Sequence, residues 1–600
     1  MQFRSHALPR RLHAPRAPLS PAAVRACPAS NQPRRLYSRR LDSVGERQNI
    51  AILGGGITGL ASAHYLRKTL WNANITVYEA SPRLGGWLQS QRVEVPGGSV
   101  LFEQGPRTIR QANSSLVTTH LVQDLGLADE VVYTSKTSPA ARNRYVYYPD
   151  HLVKMPGPGL GLFETCRTLL FEPVMAGAIS AFALEIFRPP RDSNVTDESL
   201  GSFLERRLGS RQVGDNLASA VMHGIYAGDI YQLSAKSLMP FQWYLEGKYG
   251  SIFKGVYAVQ QENSGNIPVQ QREADFIKSF MHEPPLERDF LQKLYSSSVF
   301  SFRNGIQTLV NRLRDRLLDQ ENVEIKTSTQ VTRLEKDEET GKIRIHNQND
   351  SSPQTCDLVI SALPAKALAK IATAGQTTTN FTGFSPLSSI SSVNVMVVNL
   401  FFSDPHVLPV SGFGYLLPRS IPFEQNPERA LGVIFDSDAV AGQDTADGTK
   451  VTVMLGGHWW DGWAEEDLCS PEEGVEMART VLARHLGIVA EPTATNVRLH
   501  RDAIPQYKVG HEQRMKDAHY ALKRAFGGRV RAVGNSYTGV GVNDCLRAAR
   551  DVARQLGDEG IMDDKTGLEH FVEPTKWVRM GTTVQLGQKR EAKTEDESTR

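Results

Sequence analysis

The sequence predicts an α/β fold from strand–loop–helix units that stand near both ends of the chain. Asn49 to Leu53 is a short apolar run typical of a buried strand, and a glycine-rich turn and a helical pattern follow it directly. A second such unit begins with a strand pattern at Val530, followed by a glycine-rich loop and a helix over residues 545–556. Between them, residues 323–326 and 331–334 have the composition of short strands. Strands and helices that alternate in this way favour the α/β class.

Composition and charge exclude several classes of protein. Hydrophobic residues make up 40% of the 600 and charged residues 22%, as in globular proteins. Residues 1–47 hold ten Arg and two acids (+8), so the total of +3 leaves −5 on residues 48–600, which argues against nucleic acid as a partner. Five scattered cysteines without a C-x-x-C spacing exclude a disulfide framework and a thiolate metal cluster, and we expect no metal site.

The first 47 residues are rich in Arg, contain Ser, and have no acidic residue before Asp42. They contain no apolar run that would serve as a secretory signal. This composition resembles a mitochondrial transit peptide, with a disordered basic tail as the alternative. In either case we exclude residues 1–47 from the fold.

One apolar stretch, residues 169–187, is too interrupted to cross a bilayer, which takes about 20 apolar residues. Glu172, Pro173 and Glu185 divide it and leave residues 174–184 as its uninterrupted part. Two interpretations remain open: a buried helix, or an interfacial helix that dips into one leaflet.

The first glycine-rich turn has the spacing of a dinucleotide site. It reads Gly54-Gly55-Gly56-Ile57-Thr58-Gly59, and Glu79 ends the next strand pattern 20 residues after Gly59. Gly54 permits the tight turn, Gly56 lets the backbone approach a pyrophosphate, and Gly59 lets the helix pack against the strand. The helix N-terminus attracts phosphates, and Glu79 would accept hydrogen bonds from ribose hydroxyls. A glycine-rich turn without a ligand is the simpler alternative.

An R-x-G-G sequence, Arg83 to Gly86, follows Glu79 and Ala80 and is itself followed by Trp87. With this extension the chain resembles the amine-oxidase-like FAD proteins. That resemblance implies FAD rather than NAD as cofactor. It also implies that the late unit with Val540, Gly541 and Val542 returns to the FAD domain, where its helix N-terminus can stabilise an anionic reduced flavin. The same resemblance places a backbone contact to the adenine at Val331.

Four further segments resemble the protoporphyrinogen oxidases, a haem-pathway family in that superfamily. They are residues 105–110, 224–234, 412–418 and 503–511. The family oxidises protoporphyrinogen IX to protoporphyrin IX by removing six electrons through FAD, while O2 becomes hydrogen peroxide. The resemblance therefore implies FAD as cofactor, protoporphyrinogen IX and O2 as reactants, and no general base among the side chains.

The resemblance also assigns site residues. The cofactor contacts are Gly54, Gly55, Gly56, Ile57, Thr58, Gly59, Glu79, Ala80, Arg83, Gly86, Trp87, Gly105, Pro106, Arg107, Thr108, Val331, Trp459, Val540, Gly541 and Val542. The substrate contacts are Arg144, which would pair with a propionate, Phe413 and Leu416, which would hold a pyrrole ring, and Gly224, where a side chain would enter the macrocycle cavity. The family often has Arg before that glycine, whereas this chain has His223, whose role the sequence leaves open.

The domain organisation follows from the same resemblance. We expect a discontinuous Rossmann-like FAD-binding domain of two layers from residues 48–112, 300–372 and 500–558, and an α+β substrate-binding domain from residues 113–149 and 373–499. Residues 150–299 would form a mainly helical membrane-associating lobe, although residues 246–298 carry no clear pattern, and residues 559–600 a partly disordered extension. The expected location is the inner mitochondrial membrane, as a peripheral protein on the intermembrane-space side. Its surface, ferrochelatase and a second copy in a homodimer are the candidate partners.

Two other function classes stay open at this point. An amine oxidase or a carotenoid-type desaturase shares the superfamily, and Trp459, Trp460, Tyr415 and Tyr537 offer rings for an amine cage. A non-catalytic binding protein can keep the fold without turnover.

Overall fold

The structure is a computed structural model that describes residues 47–157, 160–262, 266–376, 383–561 and 564–581. All of the predicted transit peptide except Arg47, its last residue, therefore lies outside the described residues. At the centre is a five-stranded sheet whose strands are all parallel. In spatial order these strands are Val323–Lys326, Asn74–Tyr78, Asn49–Leu53, Leu358–Ser361 and Val530–Ala532. The α/β class is confirmed, and the strand patterns at both ends of the chain belong to this one sheet.

Both faces of the parallel sheet are buried, so the domain has three layers rather than the two expected. In the first strand, Ile50 and Ile52 face one hydrophobic cluster, and Ala51 and Leu53 face another, because side chains alternate along a strand. The first cluster includes helices Ile57–Thr69, Leu116–Asp124, Gln307–Leu318 and Val542–Glu559. The second includes helices Ala365–Ala374, Ser385–Ser388 and His511–Phe526, and a three-stranded antiparallel sheet of Val331–Lys336, Ile343–Asn347 and Gln354–Cys356. Val331 thus begins a strand of a different sheet from Val323–Lys326.

A second large sheet has seven strands. Its spatial order is Ala494–Pro505, Ser392–Phe402, Thr449–Gly456, Ala430–Phe435, Gly414–Leu416, Tyr145–Tyr147 and Leu152–Lys154. All neighbours are antiparallel except Gly414–Leu416 and Tyr145–Tyr147, which run parallel. The sequences of residues 393–402 and 451–455 also predict strands of the substrate-binding domain, and two strands of this sheet confirm that prediction.

The two faces of this second sheet have different neighbours. Met396, Val398 and Leu400 share a cluster with helix Pro471–Leu486. Ser470 begins this helix with a capping box, and Gly487, with φ of +69°, ends it. Val395 and Val397 face the opposite way, towards Ala227 and Trp459. One face is therefore structural, and the other meets the region of the predicted site residues.

The remaining strands form small sheets. Ser90–Val95 and Gly98–Glu103 form a hairpin, and Ile109–Arg110, Ser297–Phe302 and Val131–Ser135 form a three-stranded sheet. Trp577–Gly581 pairs antiparallel with Asn266–Gln270. This last pair, which the sequence did not predict, joins the C-terminal extension to the mainly helical region. The other short helices outside residues 160–296 are Pro139–Arg142 and Asp436–Ala439, with single turns at Asn113–Ser115, Ala128–Glu130, Phe423–Gln425, Gly457–Trp460, Glu465–Asp467 and Glu569–Phe571.

Residues 160–296 are mainly helical. The helices are Leu162–Phe171, Ala178–Leu184, Leu200–Leu208, Ser219–Tyr226, Ala235–Leu238, Pro240–Tyr249, Ile252–Gln261, Gln271–Ser279 and Arg288–Ser296, with short turns at Pro173–Met175, Glu185–Phe187 and Gly214–Ala218. The described parts of residues 246–298, which the sequence left unassigned, therefore contain helices, the strand Asn266–Gln270 and the start of the strand Ser297–Phe302. Among the described residues no single helix is long and apolar enough to span a membrane. Leu162–Phe171 and Pro173–Phe187 pass that test only as a pair, which is bent by 74°.

Candidate active site

The turn of residues 54–59, here called the glycine turn, joins the first strand to the first helix, and it leaves no room for a side chain at Gly59. Gly54 has a φ of +98°, and its N–H donates to the carbonyl of Tyr78 over 2.8 Å. A Cβ on Gly59 would lie 1.9 Å from the Gly54 carbonyl oxygen. The N-terminus of helix Ile57–Thr69 is therefore held directly beyond the end of the strand, with no side-chain cap on Gly56. Its N–H groups and the positive end of its dipole suit a phosphate group.

Glu79 is fixed in front of the glycine turn by backbone donors. Its Oε2 accepts the Gly55 N–H over 2.7 Å, and its Oε1 accepts the Ser81 N–H over 2.8 Å. Each carboxylate oxygen has a further lone pair, which is free to accept a hydroxyl. Ala80 is exposed beside it. The geometry is the one that ribose recognition requires.

A second loop, residues 83–87, closes against the glycine turn. The Gly85 N–H donates to the Gly55 carbonyl over 2.9 Å, and a Cβ on Gly86 would come within 3.3 Å of the Gly56 Cα. The Arg83 guanidinium donates to the carbonyls of Leu84 and Gly86. These contacts bring two glycine backbones together. Because neither glycine has a side chain, a ligand can approach the backbone closely at this point.

Positive charge gathers near this loop. Burial lowers the pKa of Arg83, and the nearby charge of Arg498 lowers it further, with Glu79 as the opposing charge. Trp87 packs edge-on against His500 with 5.1 Å between the ring centroids. Two guanidinium groups that repel each other favour a bound polyanion, such as a pyrophosphate.

The late loop, which follows the strand Val530–Ala532, reaches the glycine turn. Gly534 has a φ of +120°, and a Cβ there would lie 3.6 Å from the Thr58 Oγ1. Val540 and Gly541 lead into helix Val542–Glu559, which starts three residues earlier than predicted. Two helix N-termini and three strand ends therefore meet at the carboxyl edge of the parallel sheet, where ligands bind in α/β folds.

Val331 is placed by the loop that precedes it. The Thr329 N–H donates to the Glu79 carbonyl over 2.8 Å, and the Ser328 N–H donates to the Ser81 carbonyl over 2.9 Å. Val331 is buried two residues beyond Thr329. The structure thus brings Val331 near Glu79. We call the glycine turn, Glu79 and residues 83–87 together the cradle.

Residues 105–108 contact the second loop, but Arg107 has its own partner. A Cβ on Gly105 would lie 2.3 Å from the Trp87 carbonyl oxygen. The buried Arg107 guanidinium pairs with Asp436 over 2.5 Å, and Asp436 also accepts the Thr452 hydroxyl over 2.5 Å. Arg107 therefore links this segment to the seven-stranded sheet through its charge. Pro106 is exposed and Thr108 half-buried beside it.

The four predicted substrate residues form two contacting pairs. The Arg144 guanidinium lies over the Phe413 ring, 4.6 Å from its centroid. A Cβ on Gly224 would lie 3.0 Å from the Leu416 Cδ2. The parallel pairing of Tyr145–Tyr147 with Gly414–Leu416 brings Arg144 and Phe413 together at the starts of the two strands, whereas Gly224 reaches Leu416 from helix Ser219–Tyr226. We call Gly224, Phe413 and Leu416 the substrate wall.

Arg110 is a second cation near Arg144 that the sequence did not single out. Burial lowers the pKa of Arg144, and the Arg110 charge lowers it further. The Arg110 carbonyl accepts the Asn543 side-chain amide over 3.3 Å, next to the late loop. Within the described ranges, no carboxylate forms an ion pair with either guanidinium. Only the R-x-x-R spacing of Arg107 and Arg110 could have drawn attention to it.

A pair of histidines, His223 and His458, lies next to the substrate wall, since His223 directly precedes Gly224. Their Nε2 atoms are 2.8 Å apart, and His223 is 1% exposed. Trp459 follows His458, and its Nε1 is buried without a hydrogen-bond partner in the described part of the chain. Nothing in the local sequence joins two histidines 235 positions apart, so the sequence missed His458.

The comparisons with known proteins agree with this geometry. Residues 57–557 match the model of the flavin containing amine oxidoreductases. A protoporphyrinogen oxidase of Schizosaccharomyces pombe is 36% identical over 85% of this chain and 98% of its own, and that of Homo sapiens is 33% identical over 84% and 98%. The chain belongs to the protoporphyrinogen oxidase family.

Solved structures show the shared fold. A protein of Exiguobacterium sp. 255-15, provisionally described as a protoporphyrinogen oxidase, has a TM-score of 0.64 at 23% identity and covers 85% of this chain and 99% of its own. Cyclohexylamine oxidase of Brevibacterium oxydans IH-35A has a TM-score of 0.54 at 16% identity, with 85% and 99% covered. Members of this family use FAD, and the residues described above fit it: an uncapped helix N-terminus, a fixed Glu79 and closely packed Gly56 and Gly86.

A comparison of two glycine substitutions tests the cradle. A Cβ on Gly56 meets nothing closer than the Gly86 Cα at 3.8 Å, so Gly56→Val should fold but lose FAD, because its side chain fills the phosphate space. Gly59→Val should fail to fold, because its Cβ would collide with the Gly54 carbonyl. Flavin absorbance per protein and thermal melting measure the two effects. Normal flavin content in Gly56→Val would contradict the assignment of this site.

Proposed function

We propose that the protein oxidises protoporphyrinogen IX to protoporphyrin IX in haem biosynthesis. The substrate loses six electrons and six hydrogens in three two-electron steps, and three O2 become three hydrogen peroxide. One observation carries this proposal. The substrate wall lies beside Arg144, which has no carboxylate partner in the described ranges, and both are near the cradle. The full-length relatives named protoporphyrinogen oxidase support it.

Each element of the site has a task in this reaction. Phe413 and Leu416 offer apolar surface to the ring of the macrocycle, and the absence of a side chain at Gly224 leaves Leu416 in its place, since a Cβ there would lie 3.0 Å from the Leu416 Cδ2. Arg144 can bind a propionate bidentately, since no carboxylate in the described ranges occupies its guanidinium. FAD supplies the redox chemistry, because it accepts hydride equivalents from carbon and passes electrons to O2. The chain positions the macrocycle against that cofactor.

The amine-oxidase alternative is less well supported by the aromatic residues. Tyr415 is buried and its hydroxyl bonds to His485 over 2.9 Å. Tyr537 and Trp460 are also buried among core side chains. Three of the four rings that could have formed an amine cage are therefore used in packing.

Oxygen consumption tests the function directly. Purified protein should consume three O2 per protoporphyrin formed when protoporphyrinogen IX is supplied, with fluorescence rising as porphyrin appears. Primary and secondary amines should give no oxygen uptake above background. Turnover of amines without turnover of porphyrinogen would reject the proposal in favour of the amine oxidases.

The substitution Arg144→Ala should weaken substrate binding while flavin content stays unchanged. A hydrogen bond to a charged group contributes about 1.5–3 kcal/mol, so KM should rise roughly 10- to 150-fold. The dimethyl ester of the substrate, which lacks carboxylates, should be oxidised equally by both proteins. Arg142→Ala removes an exposed charge two positions away and serves as the control. An equal loss of flavin and of substrate binding would reject Arg144 as a ligand.

We also propose that the helical region binds the inner mitochondrial membrane from the intermembrane-space side. The bent helix pair Leu162–Phe171 and Pro173–Phe187, here called the apolar helix pair, exposes many large apolar side chains: Leu162, Phe163, Leu170, Phe171, Ile179, Phe182, Leu184 and Phe187. Exposed large apolar side chains in this number on two neighbouring helical segments suit a lipid interface. The Arg-rich leader supports the mitochondrial location.

Charged substitutions on the apolar helix pair test this contact. Phe171 and Phe187 are 77% and 76% exposed, so the double variant Phe171→Asp/Phe187→Asp should fold normally. It should bind vesicles of phosphatidylcholine and cardiolipin about tenfold or more weakly, since each buried Phe contributes about 1.5–3 kcal/mol. Val489→Asp, at an 81% exposed position elsewhere, is the control. Unchanged flotation with vesicles in the double variant would reject the surface.

A further inference from the structure

The protonation of the histidine pair follows from its hydrogen bonds. The His223 Nδ1 lies 2.7 Å from the carbonyl oxygen of Leu417. Because a carbonyl only accepts, Nδ1 of His223 carries the hydrogen and its Nε2 carries the lone pair. The His458 Nε2, 2.8 Å away, must then donate to the His223 Nε2. With both imidazoles neutral, these contacts define the tautomer of each ring.

The pair joins the elements that line the site. His223 precedes Gly224 on helix Ser219–Tyr226, and its acceptor Leu417 follows Leu416, so one imidazole links both sides of the substrate wall. His458 lies in the turn Gly457–Trp460, and its backbone N–H donates to the carbonyl of Ala227 over 2.8 Å. The hydrogen bond between the rings is therefore the side-chain link, beside this backbone link, between the substrate wall and the turn that carries Trp459.

The surroundings keep the pair neutral. Burial lowers the pKa of His223 to about 3, with His458 as the second cause. Burial lowers the pKa of His458 to about 4, with the charges of Arg419 and Arg429 as further causes. Asp229 opposes these charges but pairs with Arg419 over 2.9 Å. A proton on the His223 Nε2 would place two N–H donors face to face, so the contact requires a neutral His223, and the low pKa of this ring keeps it neutral at physiological pH.

We propose that His223 and His458 are positioning residues for the oxidation: their hydrogen bond fixes the substrate wall relative to the Trp459 turn. The proposal rests on the function proposed above, because it assigns the wall to the macrocycle. Catalysis by orientation depends on sub-ångström placement, so loss of this bond should slow hydride transfer more than it affects flavin binding. Neither histidine is proposed to touch the substrate.

Three variants separate positioning from stability. His458→Leu keeps the bulk but removes the donor, and His458→Gln retains an amide N–H at about the place of Nε2. In anaerobic stopped-flow experiments with protoporphyrinogen IX, flavin reduction should slow about tenfold or more in His458→Leu and stay near the wild-type rate in His458→Gln. His406→Leu, at an exposed position, should match the wild type. Flavin content, thermal midpoint and reoxidation of dithionite-reduced enzyme by O2 should be unchanged in all three.

Distinct results would overturn the proposal. Wild-type reduction rates in His458→Leu would reject it, and so would equally slow His458→Gln and His458→Leu. If His458→Leu does not retain FAD, His458→Asn replaces it. Its shorter side chain cannot reach His223, so equal rates in the Asn and Gln variants would count against the positioning role. A wild-type protein that porphyrinogen cannot reduce would reject the proposed function itself, whereas slow His458→Gln beside a reactive wild type rejects positioning alone.

Discussion

The contact between Gly59 and the Gly54 carbonyl determines the rest of the site. No side chain fits between them, so the first helix starts directly at the end of the first strand and presents its N-terminus to the sheet edge. The backbone donors of Gly55 and Ser81 then fix Glu79 at the same edge. Because the strands are parallel, the loops after the neighbouring strands arrive at this edge as well, and the late helix adds a second N-terminus.

The substrate side depends on a few long-range links to this edge. The buried Arg107–Asp436 ion pair joins the loop after the hairpin to the seven-stranded sheet. Removal of one partner of a buried pair typically costs about 3–5 kcal/mol, since the other charge stays buried. This link therefore also helps to fix the position of one part of the fold relative to the other. The inner side of the apolar helix pair packs in the same hydrophobic cluster as Val146 and Leu416. The apolar helix pair and the substrate wall are thus in contact through this shared cluster.

The sequence alone predicted the features that local chemistry determines. The glycine spacing, the acid 20 positions after Gly59 and the strand patterns correspond to observed geometry, because turns and buried strands have strict local requirements. It could not predict pairings across hundreds of residues. Arg107 with Asp436, His223 with His458, and the strand Trp577–Gly581 with Asn266–Gln270 each depend on how distant elements pack. For the same reason the position of Arg110 beside Arg144 and the third layer of the parallel sheet were found only in the structure.

An anaerobic titration of the oxidised, flavin-loaded protein with protoporphyrinogen IX tests the central claim most directly. With O2 absent, the bound flavin is the only electron acceptor. Flavin absorbance should therefore bleach as porphyrin fluorescence appears, with three flavins reduced for each porphyrin formed. Flavin that stays oxidised while porphyrinogen is present, or porphyrin that forms only at the rate seen in buffer, would contradict a macrocycle site beside the flavin cradle.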